Sequence, residues 1–413
     1  MTAGSASTDS PATEPPAAIA WLLTGGEEYG VRRTTLGFMR ELKARGVRTT
    51  AIVLSAGGVA GDLVAAGHEV ITFDDGEPPP RFGGNFLGKF VNGLRMVRYR
   101  SRWTDRVADA LTATRAEVIH VRWPYLVGLA GTAARKARVR AVWQMPGTVG
   151  TTLPFGLNRR YLSRLCRRLE VTPIANSRYT ATTLADGRFI PPHAHLGIDP
   201  ADFDPARYTA VERLNIGIRD DAVVLAVFAR LDPSKGQARL IEALAALTDI
   251  APAPHIMMIG GPYPGAPAHE DELRRLANDL AVADQVHFLG HVAEPQPYYL
   301  TADIVVSSTI RAEGFGLSVI EAMMMGRPVL AHARGGPAET VVDGHTGWHV
   351  AAATSGDFER GIRRAIEDRE HWPQMRRNAR DHALGSYSIS AAVDRYLGVL
   401  ARPAGWWMSA PRT

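Results

Sequence analysis

The chain has 413 residues, a formal net charge of +5, 46% hydrophobic and 22% charged residues, and one cysteine, Cys166. This composition is typical of a globular protein with more than one domain, and a single cysteine excludes an intrachain disulfide. No apolar run reaches the ~20 residues of a membrane span, and the mild basic excess permits an anionic partner without requiring one.

The N-terminal segment, residues 1–17, is rich in Ser, Thr, Ala and Pro and has no basic residue. These features predict a disordered tail and not a signal peptide. Together with the lone cysteine, they favour a cytoplasmic protein.

From residue 18, short β-branched runs alternate with helical stretches. The predicted strands are "AIAWLLTGG", "VRTTAIVLS", "HEVITFDD", "AEVIHVRW", "RAVWQMPG" and "VTPIANS". The alternation restarts after about residue 210 with "DAVVLAVFAR", "HIMMIGG", "QVHFLGHV", "DIVVSST" and "RPVLAHA". Such alternation indicates parallel sheets covered on both faces. We predict an α/β protein with two doubly wound, Rossmann-like domains, residues 18–200 and 201–387, facing each other across a cleft.

Two cations follow the first strand of the second half. Arg230 and Lys235 stand five residues apart in "ARLDPSKGQ", where a loop opens a helix. A planar arginine fork and a mobile ammonium suit a diphosphate. A solvated surface loop is the other interpretation, but only four of the 47 Lys and Arg residues are lysine, which favours a specific use here.

The stretch "RAEGFGLSVIEAMMMG" combines a glycine turn with two carboxylates. Glycines at 314 and 316 allow a tight turn, so a helix should start near Leu317 with its amide groups available to phosphate oxygens or hydroxyls. Glu313 and Glu321 would contact different hydroxyl pairs of one ligand, although surface and helix-capping roles fit them equally well. The predicted binding residues of this stretch are Glu313, Gly314, Phe315, Gly316, Leu317, Ser318 and Glu321.

Gly25 and Gly26 end the first strand and could form a second phosphate-approach loop, or simply a tight turn into the next helix. No cluster has the ligand spacing of a metal site, and Asp202 and Asp204 alone offer too few oxygens. We therefore predict no metal and no cofactor.

Several stretches resemble one known family. "ARLDPSKGQARLIEAL", "MMIGGPYPG", "VHFLGHV" and "RAEGFGLSVIEAMMMGRPVLAHARGGPAETVVDGHTGWHV" are similar to the C-terminal domain of retaining glycosyltransferases of family 4, which have the GT-B fold. The resemblance covers roughly residues 17–400 and is more specific in the C-terminal half. It implies that residues 388–413 cross back to the N-terminal, acceptor-binding domain, and that residues 201–387 bind the nucleotide sugar.

The resemblance also implies residue roles. Arg230 and Lys235 would hold the donor diphosphate, Glu313 would contact the transferred sugar, and Glu321 would bind the ribose hydroxyls. Backbone groups near Val292 would contact the base, and the Gly25–Gly26 turn would approach the diphosphate. Family members retain anomeric configuration without a protein nucleophile or a metal.

One departure from the family concerns a histidine that many relatives carry after the strand that here reads "RAVWQMPGTVG". Gln144 and Met145 occupy this region, and His120 is a candidate substitute, although a hydrogen-bonded strand-end histidine is the simpler interpretation. His120, Trp123, Gln144 and Met145 are the predicted acceptor-binding residues.

Arginine-rich "FGLNRRYLSRLCRRLE" is either a solvated helix face or a peripheral membrane contact. No nucleic-acid-binding motif is present.

These patterns predict transfer of a hexosyl unit from a nucleoside-diphosphate sugar, with UDP favoured, to a small polar acceptor. The Arg, Ala, Gly and Pro bias of a GC-rich genome makes antibiotic or other specialised-metabolite biosynthesis a reasonable context. The alternatives are a lipid acceptor at the cytoplasmic membrane face, a GT-B sugar-nucleotide epimerase and a non-catalytic sugar-nucleotide-binding protein. The sequence does not determine the base, the sugar, the acceptor or the oligomeric state.

Overall fold

The computed structural model describes residues 14–27, 29–80, 86–150, 156–186 and 189–408, with the backbone alone described at 29 and 86–90. The predicted tail therefore lies largely outside the described residues. The chain divides into two compact units: unit 1 is Met1–Gly197 with Ile389–Thr413, and unit 2 is Ile198–Ser388.

Unit 1 contains a six-stranded sheet. Its strands are β1 Ala18–Leu23, β2 Arg48–Val53, β3 Glu69–Thr72, β4 Val118–Val121, β5 Arg140–Met145 and β6 Val171–Ala175. Its helices are α1 Tyr29–Ala44, α2 Gly58–Ala65, α3 Phe86–Ala113, α4 Val127–Ala137, α5 Leu157–Leu169, α6 Arg178–Leu184 and, from the end of the chain, α14 Ile389–Leu400.

Unit 2 repeats this plan. Its strands are β7 Val224–Phe228, β8 His255–Ile259, β9 Val286–Gly290, β10 Ile304–Ser307, β11 Val329–His332 and β12 Gly347–Val350. Its helices are α7 Gln237–Ala245, α8 His269–Asp279, α9 Gln296–Thr301, α10 Leu317–Met324, α11 Pro337–Thr340, α12 Ser355–Glu367 and α13 Trp372–Tyr387.

Both sheets are parallel and doubly wound, as predicted. The strand orders are β3-β2-β1-β4-β5-β6 and β12-β11-β10-β7-β8-β9. Each order reverses at one point, between β1 and β4 in unit 1 and between β10 and β7 in unit 2. Ligands of doubly wound sheets bind at the carboxyl ends of the strands beside this switch point. The edge strand β12, with the sequence "GWHV", was not predicted.

Apart from the edge strand β3, the strands of unit 1 are largely buried on both faces, which explains their near-continuous apolar runs. Ala20 and Leu22 belong to a hydrophobic core with Trp103 of α3, whereas Trp21 lies between them and faces Phe38 of α1, 6.2 Å away between ring centroids. Burial of each large side chain contributes roughly 1.5–3 kcal/mol.

The C-terminal segment completes unit 1. Tyr396 of α14 packs edge-on against Phe38 of α1 at 5.9 Å. Arg45, at the end of α1, forms an ion pair with Asp394. Trp407 is fully buried in the same unit.

In the described part of the chain, no helix combines the length and apolar character required to cross a membrane.

Candidate functional site

The switch point of unit 2 brings a cation and a carboxylate together. The Lys235 Nζ atom, in the loop after β7, lies 2.6 Å from Glu313 Oε2, in the loop after β10. Their side chains keep 24% and 29% of their surface exposed. Thr309 Oγ1 donates a longer hydrogen bond, 3.4 Å, to the same carboxylate oxygen. Two predicted site residues from distant parts of the sequence therefore meet at a solvent-accessible point.

The loop that carries Lys235 is tied to the loop after β10. Gly236 has φ +74°, and a Cβ atom there would lie 2.0 Å from the carbonyl oxygen of Ser308. The Ser308 hydroxyl donates to the Lys235 carbonyl at 2.8 Å, and the Ile310 amide donates to the Ser234 carbonyl at 3.0 Å. Only glycine permits this close approach without strain, so the sequence "SKG" has a direct structural reason.

Asp232 shapes the turn from inside. Its Oδ1 atom accepts hydrogen bonds from the amide and the hydroxyl of Ser234, both at 2.8 Å. Burial alone would raise the pKa of Asp232, but these hydrogen bonds and the charges of Arg230 and Lys235 together lower it. The carboxylate therefore stays ionised and holds the lysine loop in one conformation.

Arg230 takes a different position from Lys235. Its side chain is exposed, and the guanidinium carbon lies 4.6 Å from the ring centroid of Tyr263, in the loop after β8. Its backbone carbonyl accepts a hydrogen bond from the buried Gln237 side chain at 2.8 Å. Tyr263 was not predicted from the sequence; an aromatic residue in "GGPYPG" gives no period or motif that would have identified it.

The glycine turn before α10 has the predicted form. The helix begins at Leu317 after Gly316, which has φ +87°. Leu317 and Ser318, at its start, are partly exposed, whereas Gly314 and Phe315 are buried. The Gly336 amide donates to the Glu313 carbonyl at 2.8 Å.

Gly335 and Gly336 hold this turn in place. Cβ atoms at these positions would lie 2.3 Å from the Glu313 carbonyl oxygen and 2.4 Å from the Phe315 backbone, respectively. This glycine pair was not predicted to support the site.

Glu321 is buried at 7% exposure. Its Oε2 atom accepts a hydrogen bond from the Tyr299 hydroxyl at 2.8 Å, and the Tyr299 ring stacks on Phe228 of β7 at 3.6 Å between centroids. A buried carboxylate needs such a donor to offset its lost hydration. Tyr299 was also not predicted. Val292 lies just beyond β9 and is partly exposed.

In unit 1, the predicted glycine turn is organised by a buried carboxylate. Glu27 accepts hydrogen bonds from the Thr24 amide at 2.8 Å, the Gly25 amide at 2.9 Å and the Trp123 indole at 3.2 Å. Gly25 has φ +96°, and a Cβ atom there would lie 2.1 Å from the Ser55 carbonyl oxygen. The Gly25 amide is thus engaged within the turn; binding of a donor by this loop stays a prediction.

A cavity of about 290 Å³ lies beside this turn, at the carboxyl ends of the first strands. It is lined by Thr24, Gly26, Ser55, Ala56, Gly76, Pro78, Pro79 and Tyr125. The Tyr125 ring stacks with that of Trp123 at 5.9 Å between centroids, so one predicted acceptor residue lies next to the cavity wall.

The other predicted acceptor residues are buried. His120 lies between Trp21, on which it stacks at 3.7 Å, and the Tyr396 hydroxyl, 2.8 Å from its Nδ1. Burial lowers the pKa of His120 well below 6.5. Met145 is fully buried in the hydrophobic core. Gln144 is 1% exposed.

Among the described side chains, no three His, Cys, Asp or Glu groups cluster as metal ligands would.

Comparison with known proteins gives the family. The model described as "Glycosyltransferase Family 4" matches residues 29–202, and the one described as "Glycosyl transferases group 1" matches residues 210–382. The chain belongs to glycosyltransferase family 4. The two matches meet near the boundary between units 1 and 2, so each unit corresponds to one conserved module.

The family 4 chain is similar to curated actinobacterial proteins. It is 32% identical over 210 residues to the D-inositol 3-phosphate glycosyltransferase of Stackebrandtia nassauensis, covering 49% of this chain and 46% of that protein. It is 34% identical over 216 residues to D-inositol 3-phosphate glycosyltransferase 1 of Catenulispora acidiphila, covering 50% of each. The chain thus spans about half the length of the curated relatives it matches.

Solved structures extend the likeness over the family 4 chain as a whole. Anabaena HepE, crystallised with UDP and glucose, has a TM-score of 0.73 at 21% identity, covering 93% of this chain and 99% of that one. A glycosyltransferase from Rickettsia africae has a TM-score of 0.75 at 18% identity, covering 92% and 97%. At these identities the comparison establishes the fold, which is GT-B.

Proposed function

We propose that the protein is a retaining, metal-independent glycosyltransferase that moves a hexosyl unit from a nucleoside-diphosphate sugar, most simply a UDP-sugar, to a small polar acceptor. The observation that carries the proposal is the Lys235–Glu313 ion pair at the switch point of unit 2. Family membership and the UDP-bound structure of HepE support the same donor class.

The ion pair explains how this unit would stabilise the transition state. Departure of a nucleoside diphosphate places negative charge on the phosphate and positive charge on the sugar. Lys235 would lie at the diphosphate, and the first amides of α10 add the positive end of a helix dipole. These groups act most strongly on the charge that develops during reaction, which is how they would lower the barrier.

Glu313 would then change partners. In the structure it holds Lys235 in place at 2.6 Å. A bound diphosphate would compete for the ammonium, and the freed carboxylate could accept hydrogen bonds from hydroxyls of the transferred sugar. This exchange gives both groups hydrogen-bond partners before and after donor binding, which limits the cost of their lost hydration.

Glu321 would bind the ribose. Its Oε2 atom already accepts from Tyr299, so the carboxylate is held in one orientation. Two carboxylate oxygens match two adjacent hydroxyls, and an oriented carboxylate loses little side-chain entropy on binding. Val292 would supply backbone contacts to the base from the neighbouring strand end.

The acceptor would bind in unit 1. The cavity of about 290 Å³ has hydroxyls, prolines and an aromatic ring in its wall, a lining that suits a hydroxylated ring. The curated relatives are named for a phosphorylated cyclitol acceptor, which makes inositol phosphates the first acceptors to assay. Specialised-metabolite biosynthesis in the cytoplasm stays a prediction that an acceptor screen would address.

A panel of UDP-, GDP- and ADP-glucose provides the test. We expect UDP-glucose to bind most tightly and UDP to be released when an acceptor is added. The rate of UDP release should not change when a metal chelator is present. NMR of the product anomeric proton should show the configuration of the donor. Binding of none of the three sugar nucleotides would reject the proposal; turnover without an acceptor would favour an epimerase, and binding without any turnover a non-catalytic role.

A lipid acceptor is the second candidate, and the surface of α5 favours it. Leu157 and Tyr161 are 48% and 60% exposed on this helix, among the exposed arginines Arg160, Arg164 and Arg168. Exposed apolar side chains within a basic helix suit an anionic membrane surface. Sedimentation with phosphatidylglycerol vesicles but not with phosphatidylcholine vesicles would support this candidate, and loss of binding in Arg164→Glu would locate the contact.

A further inference from the structure

Several buried polar side chains of unit 1 have atoms without a hydrogen-bond partner among the described residues, and three of these side chains follow the ends of neighbouring strands. They are Arg122 at Nε and Nη2, Gln144 at both amide atoms, and Asn176 at Oδ1. Their exposures are 4%, 1% and 1%. Buried polar atoms are nearly always paired in native proteins, so a group of unpaired ones needs an explanation.

The three side chains follow neighbouring strands and share one face of the sheet. Val121 of β4 pairs with Trp143 of β5, and Gln144 pairs with Ile174 of β6. Arg122 therefore lies beside Gln144, and Asn176 lies two positions beyond Ile174. Because side chains alternate between faces and strands are ~4.8 Å apart, the three project together from adjacent strand ends.

The cluster lies beside the switch point of unit 1. Arg122 follows β4, the strand at which the sheet order reverses. The Asn176 Nδ2 atom donates to the Pro146 carbonyl at 2.9 Å, and Pro146 itself is exposed. A ligand would enter from this edge, where doubly wound sheets bind their ligands.

Among the described residues, Arg122 has no carboxylate within hydrogen-bond distance, and its guanidinium carbon lies 5.7 Å and 6.0 Å from the ring centroids of Trp21 and Phe38. Its Nη1 atom donates to the Thr34 hydroxyl at 2.5 Å and to the Val31 carbonyl at 3.3 Å, both neutral acceptors. Glu27 attracts it only at a distance, and that carboxylate is bonded to Trp123 and the glycine turn. Burial lowers the pKa of Arg122 to about 10, so the guanidinium is still charged at neutral pH. A buried charge of this kind is costly unless an anion accompanies it.

We propose that Arg122, Gln144 and Asn176 form a binding site for an oxyanion carried on a hydroxylated carbon skeleton, and that this anion belongs to the acceptor. The free fork of Arg122 binds phosphate or carboxylate oxygens. The Gln144 amide offers one donor group and one acceptor, and Asn176 offers an acceptor, so both can bond hydroxyls. This inference rests on the proposed function for its acceptor role, but not for the existence of the site.

Probe binding tests the site on the full chain. Glycerol 3-phosphate, gluconate, inorganic phosphate and neutral glycerol would be compared by calorimetry and thermal unfolding at equal ionic strength. We expect glycerol 3-phosphate or gluconate to bind and glycerol not to bind, with the tighter of the two identifying phosphate or carboxylate as the preferred anion. Arg122→Met and Gln144→Met should each weaken that binding at least tenfold.

The stability of the unliganded variants separates a binding role from a structural one. Gln144→Met keeps the side-chain volume and removes an unpaired buried amide, so the unfolding midpoint should rise, by about 2–4 °C. Gln296→Met is the matched control in unit 2: Gln296 is also buried and its Oε1 atom has no partner among the described residues, but its Nε2 atom donates to the Asp202 carbonyl at 2.9 Å. That variant should lower the midpoint and leave probe affinity unchanged.

Two results would overturn the site: no binding of either anionic probe to the wild-type protein, or a Gln144→Met variant that is destabilised and still binds normally. UDP affinity, measured in parallel, keeps the two proposals separate. If the wild-type protein binds UDP normally but does not bind the anionic probes, only the Arg122, Gln144 and Asn176 site is rejected. Failure of the wild-type protein to bind UDP, with probe binding present, would reject the donor proposal alone.

Discussion

The two sheets share one topology, but the charged side chains beside their switch points have different partners. In unit 2, Lys235 has Glu313 as a partner and Glu321 has Tyr299. In unit 1, Arg122 is buried with two unpaired guanidinium atoms. Lys235 and Glu321 thus each have a side-chain partner, whereas the described residues offer the Arg122 guanidinium no carboxylate within hydrogen-bond distance, a partner that an anion would supply.

This difference follows from solvent exposure. A partly exposed ion pair costs little to open, because water replaces the lost partner, so Lys235 and Glu313 can exchange each other for a ligand. A buried guanidinium has no water to replace a partner, so its ligand must bring the missing charge. The same fold can therefore hold an ion pair that a ligand can open, in unit 2, and a buried cation that needs an anionic ligand, in unit 1.

The largest effect should come from removing the lysine of unit 2. Lys235→Ala removes the cation at the departing diphosphate, and we expect kcat to fall by roughly 10²–10³-fold with the fold intact. Lys136→Ala is the matched control, because that lysine is exposed and paired with Asp105 in unit 1. A kcat within twofold of wild type in Lys235→Ala would show that unit 2 does not use this charge.

The next effect concerns the loop that positions the lysine. Gly236→Ala would place a Cβ atom 2.0 Å from the Ser308 carbonyl oxygen at φ +74°, and we expect a loss of about 1–3 kcal/mol in the free energy of unfolding. Gly46→Ala has a similar φ, +81°, but no neighbour within 4 Å. Chemical denaturation of both variants should show the larger loss at Gly236; equal losses would mean that the contact between the loops contributes nothing.

A smaller effect is expected at the buried carboxylate. Glu321→Gln should weaken UDP binding about tenfold, because an amide offers one acceptor oxygen where the carboxylate offers two. Tyr299→Phe keeps the ring stacked on Phe228 and removes the hydroxyl that orients Glu321, so its effect should be smaller. Calorimetry on the two single variants and the double variant gives the coupling energy between Tyr299 and Glu321 in UDP binding. If the two effects on the binding free energy simply add, Tyr299 does not orient Glu321.

The last effect concerns the pH dependence of the free energy of unfolding. Burial lowers the pKa of His68 and His120 in unit 1 and of His255, His287, His332 and His382 in unit 2. Below pH 6.5 the unfolded chain binds more protons than the folded one at these groups, so stability should fall as pH falls. Each histidine contributes at most about 1.4 kcal/mol per pH unit.

Calorimetry should show the unfolding midpoint decreasing between pH 7.5 and pH 5.5. The decrease should be smaller in a His255→Gln/His287→Gln variant. A midpoint that does not change over this range would contradict the prediction.

Much of the fold could be predicted because its signals are local. Alternating apolar runs and helical stretches indicated two parallel sheets, and the glycines at 314 and 316 indicated where α10 begins. The edge strand β12 was not predicted. Tyr299, Tyr263 and the glycine pair at 335–336 were missed because each contacts a residue more than 20 positions away in the sequence, and the family resemblance was not used to give them a role.

The sequence by itself determined the architecture, the loop chemistry and the family resemblance, since strand alternation, glycine turns and rare lysines are properties of short stretches. Only the tertiary structure decided which charges are paired. Lys235 and Glu313 are 78 residues apart in sequence and 2.6 Å apart in space, while Arg122 is buried at a strand end and has no carboxylate contact within the described part of the chain. Pairing and burial depend on how strands assemble, and the energy of a charge depends on both.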